Sequence, residues 1–297
     1  MGQLTKEQAD QLWPEKSRKI YFLCHTLNDD EKALLRCLLS VRDLADKIVV
    51  LVDDKAACIV PAIVDYATSF TWKHSFSYAK NLCLQTAMDK CGLKYGDWVL
   101  FMGDDFELQT HTISEIKEFV KDPCNFFAQF WVPEYTPNDG EKVVSRKRKL
   151  LWRHHPMIYW ERSVHEEAVY SAYRLTGQGI PFGEIEWKEY PILGGINGML
   201  HYGYHEDGGE HGKYFWWKKG YYLVLMQIDQ VRNKYNLPET LDATKRVLEY
   251  ILNRPVTDLN LEIEKLTERY SNGDVPPGLS KFVDPKTKII TQLEYDN

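Results

Sequence analysis

Residues 98–108 read WVLFMGDDFEL: an apolar run that ends in Asp104, Asp105 and Glu107 with no lysine or arginine beside them. A short apolar run bounded in this way reads as a buried strand. In an open α/β sheet, ligands collect outside the carboxyl ends of the strands. Carboxylates crowded there repel one another unless a cation or a proton lies between them. One chemistry open to them is therefore to hold a hard divalent metal through oxygen. The other is local: Asp104 caps a turn and its neighbours face water, as acidic residues after strands commonly do. The motif alone leaves both open.

The elements that must position these carboxylates come earlier in the chain. Lys19 to His25 is a short apolar run suited to a central parallel strand, and it ends near Thr26. Leu34, Leu35, Leu38 and Val41 recur at a helical period, and Asn28 or Asp29 is placed to cap that helix. Lys47 to Val52 is a second strand that stops at Asp53-Asp54. A short strand is expected over Thr68 to Trp72 and a helix over Phe76 to Met88. Strand alternating with helix predicts a doubly wound, mostly parallel sheet with right-handed crossovers. Its rim then receives Thr26, Asp53 and the Asp104-Asp105 pair together. No G-x-G-x-x-G follows the first strand and no G-x-x-x-x-G-K occurs, which argues against a dinucleotide enzyme and a P-loop NTPase.

After Pro123 the texture changes. Phe126 to Val132 and Val143 to Trp152 read as strands joined by a hairpin at Pro137 to Gly140, with short strands near Met157 to Trp160 and Ile185 to Trp187. From Lys213 to Tyr250 the pattern is helical with a break at Pro238, and Leu259 to Tyr270 is a last helix.

Composition narrows the classes. At 297 residues, 44% hydrophobic and 27% charged, this is an ordinary globular chain able to bury a full core. A net charge of -6 argues against a general nucleic-acid surface. The exception is the run Arg146-Lys147-Arg148-Lys149, which reads as a solvated strand edge. The six cysteines form no C-x-x-C pair and several fall in apolar runs, so they read as free thiols of a reducing compartment. The N-terminus lacks an apolar signal core and no run reaches membrane-spanning length, so a cytoplasmic protein without a transmembrane segment is expected.

The run KIYFLCHTLNDDEKALLRCLLSVRDLADKIVVLVDD resembles the opening of family-2 glycosyltransferases of the GT-A fold. The likeness continues through Trp72 to Asn81, where that family often has a Trp, a Phe and "ARN", and through GDWVLFMGDDFEL, where it has "GDWVLFLDADE-L". Trp160 to Glu166 (WERSVHE) and His201 to Tyr204 (HYGY) resemble "VHE" and "H-x-GY" segments of the branch related to lipopolysaccharide core glycosyltransferases. The likeness covers roughly residues 19 to 235. It implies a Rossmann-like sheet with a mixed acceptor part and C-terminal helices. The implied division is an N-terminal extension over 1–18, a nucleotide-sugar half over 19–122, an acceptor half over 123–208 and helices with a tail over 209–297. Departures stand at Gly103, where the family has the first Asp of its D-x-D, and at Lys80, where it has Arg. The Gly often found shortly before "VHE" gives way here to bulkier residues.

The resemblance implies a nucleotide-sugar donor, a UDP-sugar first among candidates, and Mn²⁺ or Mg²⁺ as the cofactor. Asp53 would accept from the base N–H, Thr26 would contact base or ribose, and Lys80 would meet the diphosphate. Asp105, with Asp104 second, would reach the metal, and His201 would be a further ligand. Inversion needs a carboxylate to take the acceptor proton, and the second half should supply it. Glu166 is the first choice, with Glu161 and Glu167 as rivals and His165 as base, ligand or support. Trp152 and Trp160 are candidates for an acceptor platform, with core packing as the alternative. The acceptor could be a glycan, a lipid-linked sugar, a protein or a modified DNA base, the last suggested by Arg146 to Lys149 with Arg153, His154 and His155 near. A nucleotidyltransferase and a non-catalytic sugar-nucleotide-binding protein are the competing classes.

Overall fold

The computed structural model describes residues 5–13, 16–27, 31–56, 58–135, 143–155, 158–161, 167–170, 191–195, 198–201 and 211–282. The chain divides into two units: one over Met1–Trp72, Ala79–Glu161 and Glu167–Tyr204, the other over Lys73–Tyr78, Arg162–Glu166 and His205–Asn297.

The first unit opens with helix α1 (Lys6–Leu12) and strand β1 (Ile20–Thr26), every residue of which is buried. Helix α2 (Glu31–Val41) buries Ala33, Leu34, Cys37, Leu38 and Val41, one stripe at the expected period. Strands β2 (Lys47–Asp53) and β3 (Tyr66–Phe70), helix α3 (Phe76–Cys91) and strand β4 (Trp98–Phe101) follow. Then come β5 (Phe106–Leu108), helix α4 (Thr110–Phe119), and the long pair β6 (Phe127–Tyr135) and β7 (Val143–Arg153). Short strands complete the unit: β8 (Ile158–Glu161), β9 (Glu167–Tyr170), β10 (Ile192–Leu193) and β11 (Met199–His201).

Seven strands form one sheet in the order β10-β6-β7-β4-β1-β2-β3. Strands β4, β1, β2 and β3 are mutually parallel, β10 runs parallel to β6, and β7 alone runs against both neighbours. The mostly parallel sheet expected from the alternation is present. Its central strands are mainly apolar because both faces are covered, and Phe22, Cys24, Val50, Leu100 and Phe130 pack with Leu34, Leu38 and Ile116 into one core. The basic run keeps one open side, as its reading as an edge requires. Strand β7 lies inside the sheet, but Arg146 to Lys149 pair only with β6, beyond the reach of β4. The hairpin at Pro137 to Gly140 and the strand at Ile185 to Trp187 lie outside the described residues.

The second unit is helical: α5 (His211–Lys234), α6 (Leu241–Leu252), α7 (Leu259–Ser271) and a final 3₁₀ turn at Pro277–Phe282. Its core joins Leu223, Val224, Met226 and Ile228 to Val247, Leu248, Ile263 and Leu266. Thr240 and Asp258 cap α6 and α7, each side chain accepting from a main-chain N–H three residues on. The residues around Pro238 form the break between α5 and α6. Gly220 has no room for a side chain, since a Cβ there would lie 2.5 Å from Thr267 O.

Candidate functional site

The parallel strands bring their carboxyl ends to one rim. Strand register sets Leu23 beside Phe101 and Thr26 beside Val52. Counting on along β1 and beyond β4, Asp104 falls level with Thr26, and the Thr26 hydroxyl donates to Asp104 Oδ2. Both are buried. Asp104 therefore ties the turn after β4 to the end of β1.

Asp105 takes the other role. Its Oδ2 lies 3.0 Å from His201 Nε2, although 96 residues separate the two. The device that joins them is a two-stranded ladder in which β11 runs antiparallel to β5, with His201 opposite Phe106 and Met199 opposite Leu108. The His201 ring also lies on Phe106, centroids 4.5 Å apart and 32° from parallel. The connection before β11 is clamped onto α4. Thr112 Oγ1 donates to Gly198 O at 2.9 Å, Gly194 N donates to Glu115 Oε2 at 2.7 Å, and Gly194 adopts φ +76°. Nothing in the local sequence announces β5 or β11, each three residues long and stable only as a pair.

Asp53 closes β2 and is buried, and its Oδ1 has no hydrogen-bond partner among the described residues. Burial raises its pKa above the ordinary carboxylate value, against the main-chain N–H groups of Lys55 and Trp72, which lower it. Its neighbour Asp54 accepts from Thr71 Oγ1 at 2.7 Å. A buried acceptor with an unused lone pair suits a ligand N–H.

Lys80 is buried as well, and so is not the solvent-facing lysine its helix position allowed. Its Nζ lies 4.0 Å from the centroid of the Trp160 ring and 5.1 Å from that of Phe101, the last residue of β4. Trp160 packs edge-on against Phe101 and Trp152. The platform expected of the two tryptophans is corrected at Trp152, which is wholly buried against Phe127 and presents no face to a ligand. Trp160 is 4% exposed and packs as core.

The residues present fit a small hard cation as a partial shell. One carboxylate oxygen and one imidazole nitrogen about 3 Å apart match an edge of an octahedron with bonds near 2.1 Å, and Mg²⁺ or Mn²⁺ keeps water or phosphate oxygens in its other positions. No group of three or more His, Cys, Asp or Glu side chains is gathered for a metal among the described residues. Gly103 supplies no third ligand. A Cβ there would lie 2.7 Å from Asp105 Oδ1 and 3.2 Å from the Phe106 ring, so the space an aspartate would need is filled.

Glu166 and His165 lie outside the described residues. Glu161 and Glu167 stand opposite one another in the β8–β9 register. No disulfide joins the cysteines among the described residues, and Cys24, Cys37 and Cys83 are buried.

Of the basic groups that suggested a DNA acceptor, Arg153, His154 and His155 are buried, whereas Lys147, Arg148 and Lys149 are not. Arg153 ends β7 and His154 and His155 follow it, next to the start of β4, at the far end of the sheet from the carboxylate rim. Arg153 donates to Ser17 O at 3.1 Å, Gly96 O at 3.0 Å and Asn125 O at 3.3 Å, and lies on the Trp98 ring. Burial pushes its pKa down to about 10. Trp13 Nε1 donates to His154 O at 2.9 Å, so the residues before β1 cover this end of the sheet. Burial also pushes both histidines down to about 4, and His155 Nε2 meets Tyr95 Oη at 2.5 Å.

Comparison with known proteins adds little to this geometry. No protein-family profile matches the chain. A TPR repeat-containing protein of Synechococcus elongatus is 29% identical over 189 residues, covering 62% of this chain and 42% of its own length. The chain thus spans less than half of that relative. Crystal structures of S. aureus TarS are similar at a TM-score of 0.38 and 14% identity, covering 88% of this chain and 50% of TarS. A TarS fragment, residues 1–349, in complex with UDP gives a TM-score of 0.37 at 13% identity, covering 86% of this chain and 79% of the fragment. Likenesses this weak do not establish a shared fold.

Proposed function

We propose that the chain is a glycosyltransferase that moves a sugar from a nucleotide-sugar donor to an acceptor hydroxyl with inversion. The observation that carries this reading is the rim itself: an unsatisfied buried acceptor at Asp53, two strands from an Asp105–His201 pair, with the Thr26–Asp104 tie between them. The order matches the parts of a nucleoside diphosphate, base at one end and phosphates at the other.

In this reading Asp53 accepts the imide N–H of a uracil, which makes UDP-sugars the first donors to test. Thr26 and Asp104 border the ribose. Asp105 and His201 hold Mg²⁺ or Mn²⁺, which when bound neutralises charge on the departing diphosphate. Lys80 supplies a second cation near the phosphates, held in place by the Trp160 and Phe101 faces. Glu166 takes the proton from the acceptor hydroxyl on the face opposite the leaving group, with Glu161 and Glu167 as the variants that must be compared with it. The acceptor is a glycan, a lipid-linked sugar or a protein side chain. A modified DNA base stays a further candidate on Arg146 to Lys149 alone, since Arg153, His154 and His155 are buried. Among the described residues no helix is long and apolar enough to cross a membrane.

The test is a panel of UDP-, GDP- and TDP-sugars screened by thermal shift with Mn²⁺, since a bound donor stabilises the native state. A UDP-sugar should raise the melting temperature, and slow metal-dependent release of free sugar should follow and vanish in Asp105→Ala. Stabilisation by no donor, or release unchanged in Asp105→Ala, would overturn the proposal.

A further inference from the structure

Strand β8 belongs to a two-stranded sheet with β9 and pairs with no other strand among the described residues. Such a ribbon is marginal by itself. What fixes its height is one side chain of α3. Asn81 Nδ2 donates to Trp160 O at 2.8 Å, and Trp160 N donates to Asn81 Oδ1 at 2.8 Å. The amide thus pairs with one residue of β8 as a neighbouring strand would, using both its donor and its acceptor. The residue before it, Lys80, reaches the ring of the same tryptophan. Trp160 Nε1 is buried with no hydrogen-bond partner among the described residues, so the indole N–H does not locate the ring. The main-chain clasp and the packing on Phe101 and Trp152 do.

We propose that Asn81 is a positioning residue: by clasping the Trp160 main chain it seats the indole face on the Lys80 ammonium and so fixes the cation offered to the donor diphosphate. The inference rests on the donor site proposed above. It makes β8 and Lys80 one mechanical piece, so that the acceptor-side ribbon and the phosphate-facing cation keep a constant spacing. Loss of the clasp frees the ring and so takes one of its contacts from the ammonium.

Asn81→Ala and Asn81→Asp separate this from a purely structural role. Three quantities are read: exchange of the Trp160 amide, the rate at which acetic anhydride labels Lys80, and the affinity for UDP with Mn²⁺. In Asn81→Ala the Trp160 amide should exchange about tenfold faster, Lys80 should label several-fold faster, and UDP affinity should fall about tenfold, with β1 and β2 amides unchanged. Asn81→Asp still accepts from Trp160 N but sets a second acceptor against Trp160 O, so intermediate values are expected, and this variant decides if the alanine protein does not fold. Faster Trp160 exchange with wild-type Lys80 labelling and wild-type UDP affinity would overturn the proposal. If the wild-type protein itself binds no UDP, the donor-site reading fails, and the Lys80 labelling rate alone decides whether the clasp positions the lysine.

Discussion

His201 lies 3.0 Å from Asp105 because β11 pairs with β5 one residue beyond the acidic turn, with His201 opposite Phe106. The two adjacent aspartates are thereby given different work. Asp104 is drawn back onto Thr26 and stiffens the rim, while Asp105 faces the histidine that a strand from much later in the chain delivers.

The space at Gly103 fixes where the Asp105 carboxylate can lie. Gly103→Ala sets a methyl group 2.7 Å from Asp105 Oδ1 and so displaces that oxygen, which shifts the carboxylate facing His201. Mn²⁺-dependent UDP affinity is expected to fall about tenfold, with stability changed by no more than about 1 kcal/mol. Titration calorimetry with and without Mn²⁺ checks both arms. Unchanged affinity would mean that Asp105 takes its position from something other than the tight turn.

Asp53 should trade binding against stability. Burial holds its native pKa above the unfolded value, so its ionised form costs stability at neutral pH, and that cost begins to fall at the native pKa and is gone below the unfolded one. Asp53→Asn removes the charge at constant size. At pH 7 the variant should melt no lower than the wild type, yet bind UDP about tenfold more weakly, the difference between a charged and a neutral acceptor. A variant that loses stability while keeping its affinity would place Asp53 in the fold alone.

The far end of the sheet sets the acid limit of the protein. His154 and His155 titrate near 4 in the native state and near 6.5 when unfolded, so protons bind the unfolded chain more tightly. Their contribution is complete above about pH 6.5 and is lost as pH falls toward 4. At pH 5 each ring should cost about 2 kcal/mol. Urea unfolding at pH 7.5 and pH 5 measures the loss, and His154→Leu should remove about half of it. An equal pH dependence in His154→Leu/His155→Leu would assign the acid sensitivity to other groups.

What the sequence made legible follows from which interactions are local or periodic. Buried parallel strands announce themselves as apolar runs, so β1, β2 and β4 were readable to within a residue, and with them the rim holding Thr26, Asp53 and Asp104. Strand β3 was displaced by two residues, because an edge strand that is only partly buried carries a weak pattern. Helix α4 was missed: its first turn, Thr110-His111-Thr112, offers neither an acidic residue nor a side-chain cap. The Asp105–His201 pair was anticipated through family resemblance, since a contact between three-residue strands leaves no periodic trace. Asn81 was invisible because its partner is the main chain of a residue 79 positions away. Arg153 was misplaced for the opposite reason. Charge in a sequence suggests solvent, yet Arg153 finds its partners in carbonyl groups, which every residue has.

Gly194 and Gly198 carry a consequence for comparing this chain with its relatives. A methyl group at either position would collide with the other's main chain, at 2.4 Å and 2.7 Å, and at Gly194 also with Thr112 Oγ1 at 2.3 Å. Neither site can drift to alanine without shifting the strand that presents His201. A homologue that keeps both glycines has kept the histidine's address even where its surrounding sequence has diverged, and one that has lost them has rebuilt that side of the rim. The spacing G-x-x-x-G before the histidine therefore marks the geometry that presents His201.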